Sequence, residues 1–312
     1  MARTTDSDLA PHELRVLVAV ADTGGFSAAA GTLGLTQSAV SHSVRGSERK
    51  VGTVLFERGR AGAHPTPAGE KAVAHARRIL RLLDVLTAEA RGAARSEAAE
   101  GPLRITAFRS AALHLLPPAL QRLRARHPGI EPRLRIVREV GRGTAGEVVD
   151  GKADIAIATL GGSAPLPPGL VASGLFEEPY ALVHAPGHAA PRSLPLVDWA
   201  ENCGSHTRGW WAAQDWIPQA TVEAEDDGAV LSLVSAGHGM AIMPALSLTG
   251  APASVAIADL GPDGPTRQVG YVTTAELAGS TVVRALVREL RATVPRGVRL
   301  PGGEAGHQRT KL

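Results

Sequence analysis

One cysteine, Cys203, stands in a chain of 312 residues, which excludes an internal disulfide framework and any metal site built on several thiolates. Long apolar runs are missing as well. None approaches the ~20 residues a membrane span needs, so an integral helical membrane protein is excluded. The stretch from Met1 to Arg15 has no basic segment followed by an apolar one, so a cytoplasmic location is expected. Charge of one sign is also lacking: 33 Lys+Arg face 30 Asp+Glu, and a net +3 says nothing about partners. What remains is globular material, 44% apolar, in a length that allows two or three domains with a core each.

The distribution of charge is more informative than its sum. Between His42 and Arg78 eight Lys/Arg (Arg45, Arg49, Lys50, Arg58, Arg60, Lys71, Arg77, Arg78) face three acids (Glu48, Glu57, Glu70). Phosphate neutralisation requires such clustering, although a solvated surface can show it too. Three helices are predicted around it. Leu14, Leu17, Val18 and Ala21 recur at helical spacing after Pro11, and Asp22-Thr23-Gly24-Gly25 stops the run. A second helix opens near Phe26 with Ser27 as its N-cap and reaches Leu33, where Gly34 can turn left-handed. Thr36 caps a third, which extends to about Val51 before Gly52. Two short helices meeting at a Gly34-Leu35 corner form a helix-turn-helix pattern.

On the third helix Val40, Val44 and Val51, with Ala39 beside them, are expected to face inward. Ser38, Ser41, His42, Arg45 and Arg49 share one polar face. Short polar side chains at the helix start and arginines further along suit a helix entering the major groove by its N-terminal end. An amphipathic helix with a wet face would look the same. Val54-Leu55-Phe56 and the segment before Pro65 then flank Arg58 to Ala63, giving a two-stranded wing with a basic tip.

Thr66-Pro67-Ala68-Gly69-Glu70 signals another helix start, and no breaker follows until about Arg95. Ala72, Ala76, Ile79, Leu83, Leu86 and Ala90 are spaced by 4, 3, 4, 3 and 4 residues, an a/d seam read as a dimerisation face. Beyond it strands are expected at Leu103–Ala107, Leu134–Val140 and Ala153–Thr159. A helix is expected at Ala111–Arg126 despite Pro117-Pro118, and a helical turn at Glu147–Gly151. This alternation predicts an α/β region of mostly parallel sheets, long enough for two subdomains. The composition of 296–312 reads as a disordered tail.

The first seventy residues resemble the DNA-binding domain of LysR-type transcriptional regulators. The matching segments are Leu14 and Leu17, Gly25-Phe26-Ser27-Ala28-Ala29-Ala30, Thr36-Gln37-Ser38-Ala39-Val40-Ser41, Glu48 with Val51-Gly52, Leu55-Phe56-Glu57-Arg58, and Thr66-Pro67-Ala68-Gly69. They stand in the family's order and spacing. Ser47 and Pro65 occupy places where the family has leucine, and Gly46 weakens its helix by ~1 kcal/mol relative to alanine.

The remainder is similar to the family's effector-binding domain through Gly101-Pro102-Leu103-Arg104-Ile105, Leu115-Leu116-Pro117, His127-Pro128, Asp154-Ile155-Ala156-Ile157 and the run from Gly237 to Pro244. The fold this implies is α/β overall. A winged helix-turn-helix (1–66) leads through a linker helix (67–95) and hinge (96–101) into a domain like a periplasmic binding protein (102–295). Its two α/β subdomains would be 102–174 with 266–295, and 175–265.

The resemblance implies a sequence-specific regulator without catalytic activity or cofactor, binding double-stranded promoter DNA as a dimer or tetramer. Gln37, Ser38, Ser41, His42 and Arg45 would read bases. Thr36, Arg58, Arg60 and Thr66 would hold the DNA backbone, and Ser27 and Arg49 complete the set. A small-molecule effector would sit between the subdomains near Arg109, Ser110, Thr159, His206 and Thr207. Arg109 suggests an anionic effector, or is simply a solvent-facing arginine.

Other patterns carry less. Gly141-Arg142-Gly143-Thr144-Ala145-Gly146 is a literal G-x-G-x-x-G, but it follows the second strand of its domain, and Asp154 begins a strand instead of ending one. Pro186-Gly187 breaks any helix that could align His184 and His188 on a metal. Cys203 lacks a Cys/His signature, and no Gly-x-Ser-x-Gly elbow exists. Trp210, Trp211 and Trp216 either line the cleft or pack the second subdomain. The rival readings are a solute-binding protein, which the N-terminal motif opposes, and a nicotinamide enzyme using the 141–146 glycines.

Overall fold

The computed structural model describes residues 8–59, 62–95, 99–161, 166–201 and 205–294. The chain divides into two compact units, residues 1–97 with 149–153, and residues 98–148 with 154–312. Arg60, Cys203, part of the expected hinge and the expected tail lie outside the described residues.

The first unit contains α1 (Pro11–Thr23), α2 (Phe26–Leu33), α3 (Gln37–Val51), the hairpin β1 (Phe56–Gly59) and β2 (Gly62–Pro65), and α4 (Pro67–Arg95). Gly24 and Gly34 end the first two helices at φ 70° and 66°, a conformation that only glycine takes without strain. The N-cap of α2 is Gly25, not Ser27. Val16, Leu17, Val20, Ala29, Val40, Val44, Leu55 and Phe56 form one core. Two expected members of the inner face of α3, Ala39 and Val51, are exposed. Ser47 takes a fully buried place on that stripe and meets its polar requirement by donating to the Ser43 carbonyl at 3.0 Å.

The wing is fixed by two close approaches. A Cβ on Gly62 would lie 2.2 Å from the Gly24 carbonyl oxygen, to which the Ala63 N–H donates at 2.8 Å. A Cβ on Gly69 would lie 1.9 Å from the Leu55 carbonyl oxygen. The Thr-Pro-Ala-Gly segment therefore needs its glycine because α4 starts against the strand backbone.

Helix α4 corrects the expected seam. Its first turns pack on the core of their own unit: Ala76 is 1% exposed, and Ala72 lies against the same apolar cluster. The unpartnered stripe begins one turn later, with Ile79 at 46%, Leu82 at 39%, Leu83 at 36% and Leu86 at 66% exposure. Ala90 is exposed as well.

The second unit starts with β3 (Gly101–Ala107), a π-helical turn (Ala111–Leu115), α5 (Leu116–Arg126), β4 (Ile130–Ile136), α6 (Gly143–Val149) and β5 (Ile155–Leu160). It continues with β6 (Leu170–His184), β7 (Leu196–Trp199), α7 (Ser205–Ala212), β8 (Ala220–Ala224), α8 (Asp227–Ser235) and β9 (Ala241–Pro244). It ends with β10 (Ala256–Asp259), β11 (Thr266–Thr274), α9 (Ala275–Ala278) and α10 (Thr281–Thr293). Pro117 and Pro118 have no N–H to donate, and the turn before them widens so that the Leu116 N–H reaches the Ala111 carbonyl.

The main sheet runs β10-β6-β11-β5-β3-β4, with β9 also on β6, while β7 and β8 pair separately. Among the described strands parallel pairing is found in β3–β4, β3–β5 and β7–β8, with one further parallel bridge between Leu196 and Met240. The expectation of mostly parallel sheets thus fails, because β6 and β11 run antiparallel to each other and to their other partners. Strand β6 pairs with β11 over its first part, then with β9 and β10 from Tyr180 onward, so one continuous strand joins the two halves of the unit. Trp211 packs with Tyr180, Leu182, Leu196, Met240 and Ile242, which places the tryptophan cluster in the second half's core. Among the described residues no helix is long and apolar enough to cross a membrane.

Candidate functional site

In the first unit the polar face of α3 is free. Thr36 caps the helix through its hydroxyl, which accepts from the Ala39 N–H at 3.2 Å and lies 3.0 Å from Ser38 Oγ. Gln37, His42, Arg45 and Arg49 are exposed and make no side-chain hydrogen bond or ion pair among the described residues. Ser27 is exposed in the first turn of α2.

Arg58 is held against this face. Its guanidinium lies 4.4 Å from the centre of the Phe26 ring and donates to Ser41 Oγ at 3.3 Å, so β1, α2 and α3 together aim one cation. Glu48 steers the chain to that strand, accepting from the Leu55 and Phe56 N–H groups at 2.9 and 3.3 Å. Thr66 departs from its expected role. Its hydroxyl donates to the Val54 carbonyl at 2.9 Å and accepts from the Gly69 N–H at 3.0 Å, capping α4 with nothing left for a phosphate. The face thus offers short hydroxyls, an amide and an imidazole beside at least three cations, which is the chemistry of duplex recognition.

In the second unit the expected effector residues are treated differently. Arg109, just beyond β3, is no free cation: its Nη1 lies 2.6 Å from Asp227 Oδ1 and its Nε 3.9 Å from Asp226 Oδ1. The guanidinium covers Gly228, where a Cβ would meet it at 2.5 Å. The two aspartates open α8, where Asp226 caps the Gly228 and Ala229 N–H groups and the helix dipole favours negative charge. Arg109 thus clamps one half of the unit to the other, and the hint of an anionic ligand drawn from it falls away. A second clamp joins Arg138 to Glu225 at 2.9 Å and Glu201 at 3.4 Å. Burial pushes the Glu201 carboxyl above its usual range, and burial pushes the His114 imidazole below its own.

Ser110 and Thr207 are buried. Thr159, at the end of β5, donates its N–H to Glu139 Oε1 at 3.1 Å. His206 belongs to α7, with its side chain outside the described residues. The glycine loop is occupied from within. Glu139 Oε2 accepts the Thr144 N–H at 2.9 Å and fills the space over Gly143, where phosphate would have to lie.

Sequence reasoning missed Arg267 on β11. Its Nε donates to Glu178 Oε1 at 2.7 Å, and its guanidinium lies 4.8 Å from the centre of the Phe108 ring, beside the carboxyl end of β3. No local motif surrounds it. The signal lies in the pairing of Arg267 with Glu178 across β11 and β6, which sequence order conceals.

Family models and relatives agree on where this chain falls. Residues 11–70 match the model described as "Bacterial regulatory helix-turn-helix protein, lysR family", and residues 96–295 match "LysR substrate binding domain". A probable HTH-type transcriptional regulator, LrrA of Synechococcus elongatus, is 34% identical over 91% of this chain and 97% of its own length. The small neutral protease regulatory protein of Streptomyces coelicolor is 34% identical over 72% of this chain and 68% of its own. Among solved structures, ArgP from Mycobacterium tuberculosis shares the fold at TM-score 0.70 and 21% identity, covering 92% of this chain and 97% of that one. Full-length CbnR in complex with its target DNA does so at TM-score 0.63 and 22% identity, covering 92% and 100%. The chain belongs to the LysR family of transcriptional regulators.

Proposed function

We propose that this regulator reads promoter DNA as a dimer through α3 and the wing, and that a small molecule held between the two halves of its second unit modulates it. The single observation that carries the DNA reading is the exposed face Gln37, Ser38, His42, Arg45 and Arg49 beside the clamped Arg58. In this reading Gln37, Ser38, Ser41, His42 and Arg45 meet base edges. Thr36, through the start of α3, joins Arg58 and Arg49 along the phosphates, and Ser27 adds a contact from α2. Arg60, which lies outside the described residues, would add a further phosphate contact.

The exposed stripe Ile79, Leu82, Leu83 and Leu86 supplies the dimer seam of α4. The organisation is that of a head (1–66), linker helix (67–95), hinge (96–101) and effector-binding domain (102–295). The protein works without catalysis, in the cytoplasm.

The test is binding of the full chain to the DNA upstream of its own coding region. Retardation assays should show a saturable complex that an unrelated duplex does not compete away. Six to ten phosphate contacts predict a loss of roughly 10³-fold or more in affinity between 50 and 200 mM salt. Equal affinity for both duplexes would remove sequence-specific reading, and no salt dependence would remove the basic face.

A further inference from the structure

The clamped arginines hide a second feature. Arg267 lies near the start of β11, which pairs with β5 and with the first part of the joining strand β6, at the carboxyl ends of the parallel strands β3 and β5. That is the edge at which α/β folds hold their ligands. Its Nε is taken by Glu178 and one face of its guanidinium by the Phe108 ring. Its Nη2 is buried and has no hydrogen-bond partner among the described residues. A charged donor left unpaired away from water is costly, and few native buried groups stay so. Thr144 Oγ1 is a second buried oxygen without a partner among the described residues, on a residue whose N–H donates to Glu139.

These donors call for an acceptor, and the surrounding charge selects its kind. Glu178 already pairs with Arg267, the Glu139 carboxylate acts on the same guanidinium, and Asp226 with Asp227 outnumber Arg109 at the contact between the halves. A further full negative charge would be repelled here, whereas an uncharged oxygen would not. We infer that Arg267 is the anchoring donor of the effector site, and that it takes a neutral carbonyl group (amide, ester or lactone) in preference to a free carboxylate. This rests on the reading that the effector lies between the two halves. The Nη2 atom is buried, so a ligand reaches it only when the side chains around it part.

The experiment uses the full chain and matched probes, namely acetamide, benzamide and 2-piperidone, each against the carboxylate of the same skeleton (acetate, benzoate and 5-aminopentanoate). Thermal unfolding is followed by tryptophan fluorescence. At least one amide should raise the unfolding temperature of the wild type by about 2–4 °C at saturation, with its acid partner inactive. Arg267→Lys keeps a cation for Glu178 but has no second nitrogen to aim at a ligand, and should lose that shift while its ligand-free melting temperature stays within a few degrees of wild type.

If no amide acts on the wild type, if the acids act equally, or if the lysine variant responds like wild type, the assignment is overturned. Should the variant fail to fold, the amide-against-acid contrast in the wild type still decides. Acids stabilising both proteins alike would sink Arg267 while leaving a ligand between the halves. Loss of operator binding by unliganded wild type would instead sink the proposed function.

Discussion

At the scale of single residues, two pairs of side chains show how the head is held and how it would read DNA. Glu13 on α1 is buried, yet its carboxylate grips Lys50 of α3 at 2.8 Å and accepts the Ala10 N–H at 2.8 Å. Burial alone would raise its pKa, but Lys50, the Ala10 N–H and nearby His12 together outweigh burial and hold it below the usual carboxylate range. A folded-state pKa below the unfolded one stabilises at neutral pH, and that stability is lost as pH falls through the folded value. Hydrogen exchange of α1 and α3 amides should therefore be slower in wild type than in Glu13→Gln near neutrality. The difference should shrink between about pH 5 and pH 3. A gap independent of pH would show that packing, not charge, ties the two helices.

The second pair is His42 and Arg58. His42 is exposed on the face of α3 with no partner among the described residues, whereas Arg58 is anchored on Phe26 and Ser41. An imidazole at a base edge discriminates, and a clamped guanidinium at a phosphate does not. His42→Ala should alter the preferred operator in a random-site selection. Arg58→Ala should weaken all duplexes alike and lower the salt slope by about one contact. Identical selected sequences for wild type and His42→Ala would remove that residue from base reading.

At the scale of elements, α4 shows both the reach and the limit of sequence pattern. The 4-3 spacing marks six positions but cannot tell which neighbour they meet. Ala72 and Ala76 meet their own core, while Ile79, Leu83 and Leu86 stay exposed. Only the second group can drive pairing, so Leu83→Asp with Leu86→Asp should yield monomers in sedimentation with the head still folded. Ala76→Asp should unfold the head instead. A dimer that survives the double aspartate change would place self-association elsewhere.

The three head helices and the wing were legible because each boundary rests on a local cap: Gly24, Gly34, Thr36, and Thr66 before Pro67. The second strand of the next unit was placed four residues late, since β4 lies at a sheet edge and its exposed positions blur the alternation. The exposed polar face of α3 was readable, as one helix supplies it. The ion pairs of Arg109 with Asp227 and of Arg267 with Glu178 were not, because each joins residues across a long stretch of sequence.

At the scale of the whole molecule, the tryptophans separate the two units for experiment. All four (Trp199, Trp210, Trp211 and Trp216) lie in the second unit, so their fluorescence follows its unfolding without interference from the head. That makes the clamp between its halves measurable. Asp227 has a side chain 8% exposed and Arg109 one 37% exposed, so the two partners are not equivalent when either is removed. Arg109→Gln strands a buried carboxylate, for which the dipole of α8 compensates only in part. Asp227→Asn frees a guanidinium that water can reach. The arginine change should therefore cost about 2–3 kcal/mol in urea unfolding followed by tryptophan emission, and the aspartate change about 1 kcal/mol or less. Combining them should recover part of the loss, since the stranded charge is then gone. If the two single changes cost the same and simply add, Arg109 and Asp227 are neighbours without being a clamp, and whatever opens the second unit must act on Arg138 and its glutamates instead.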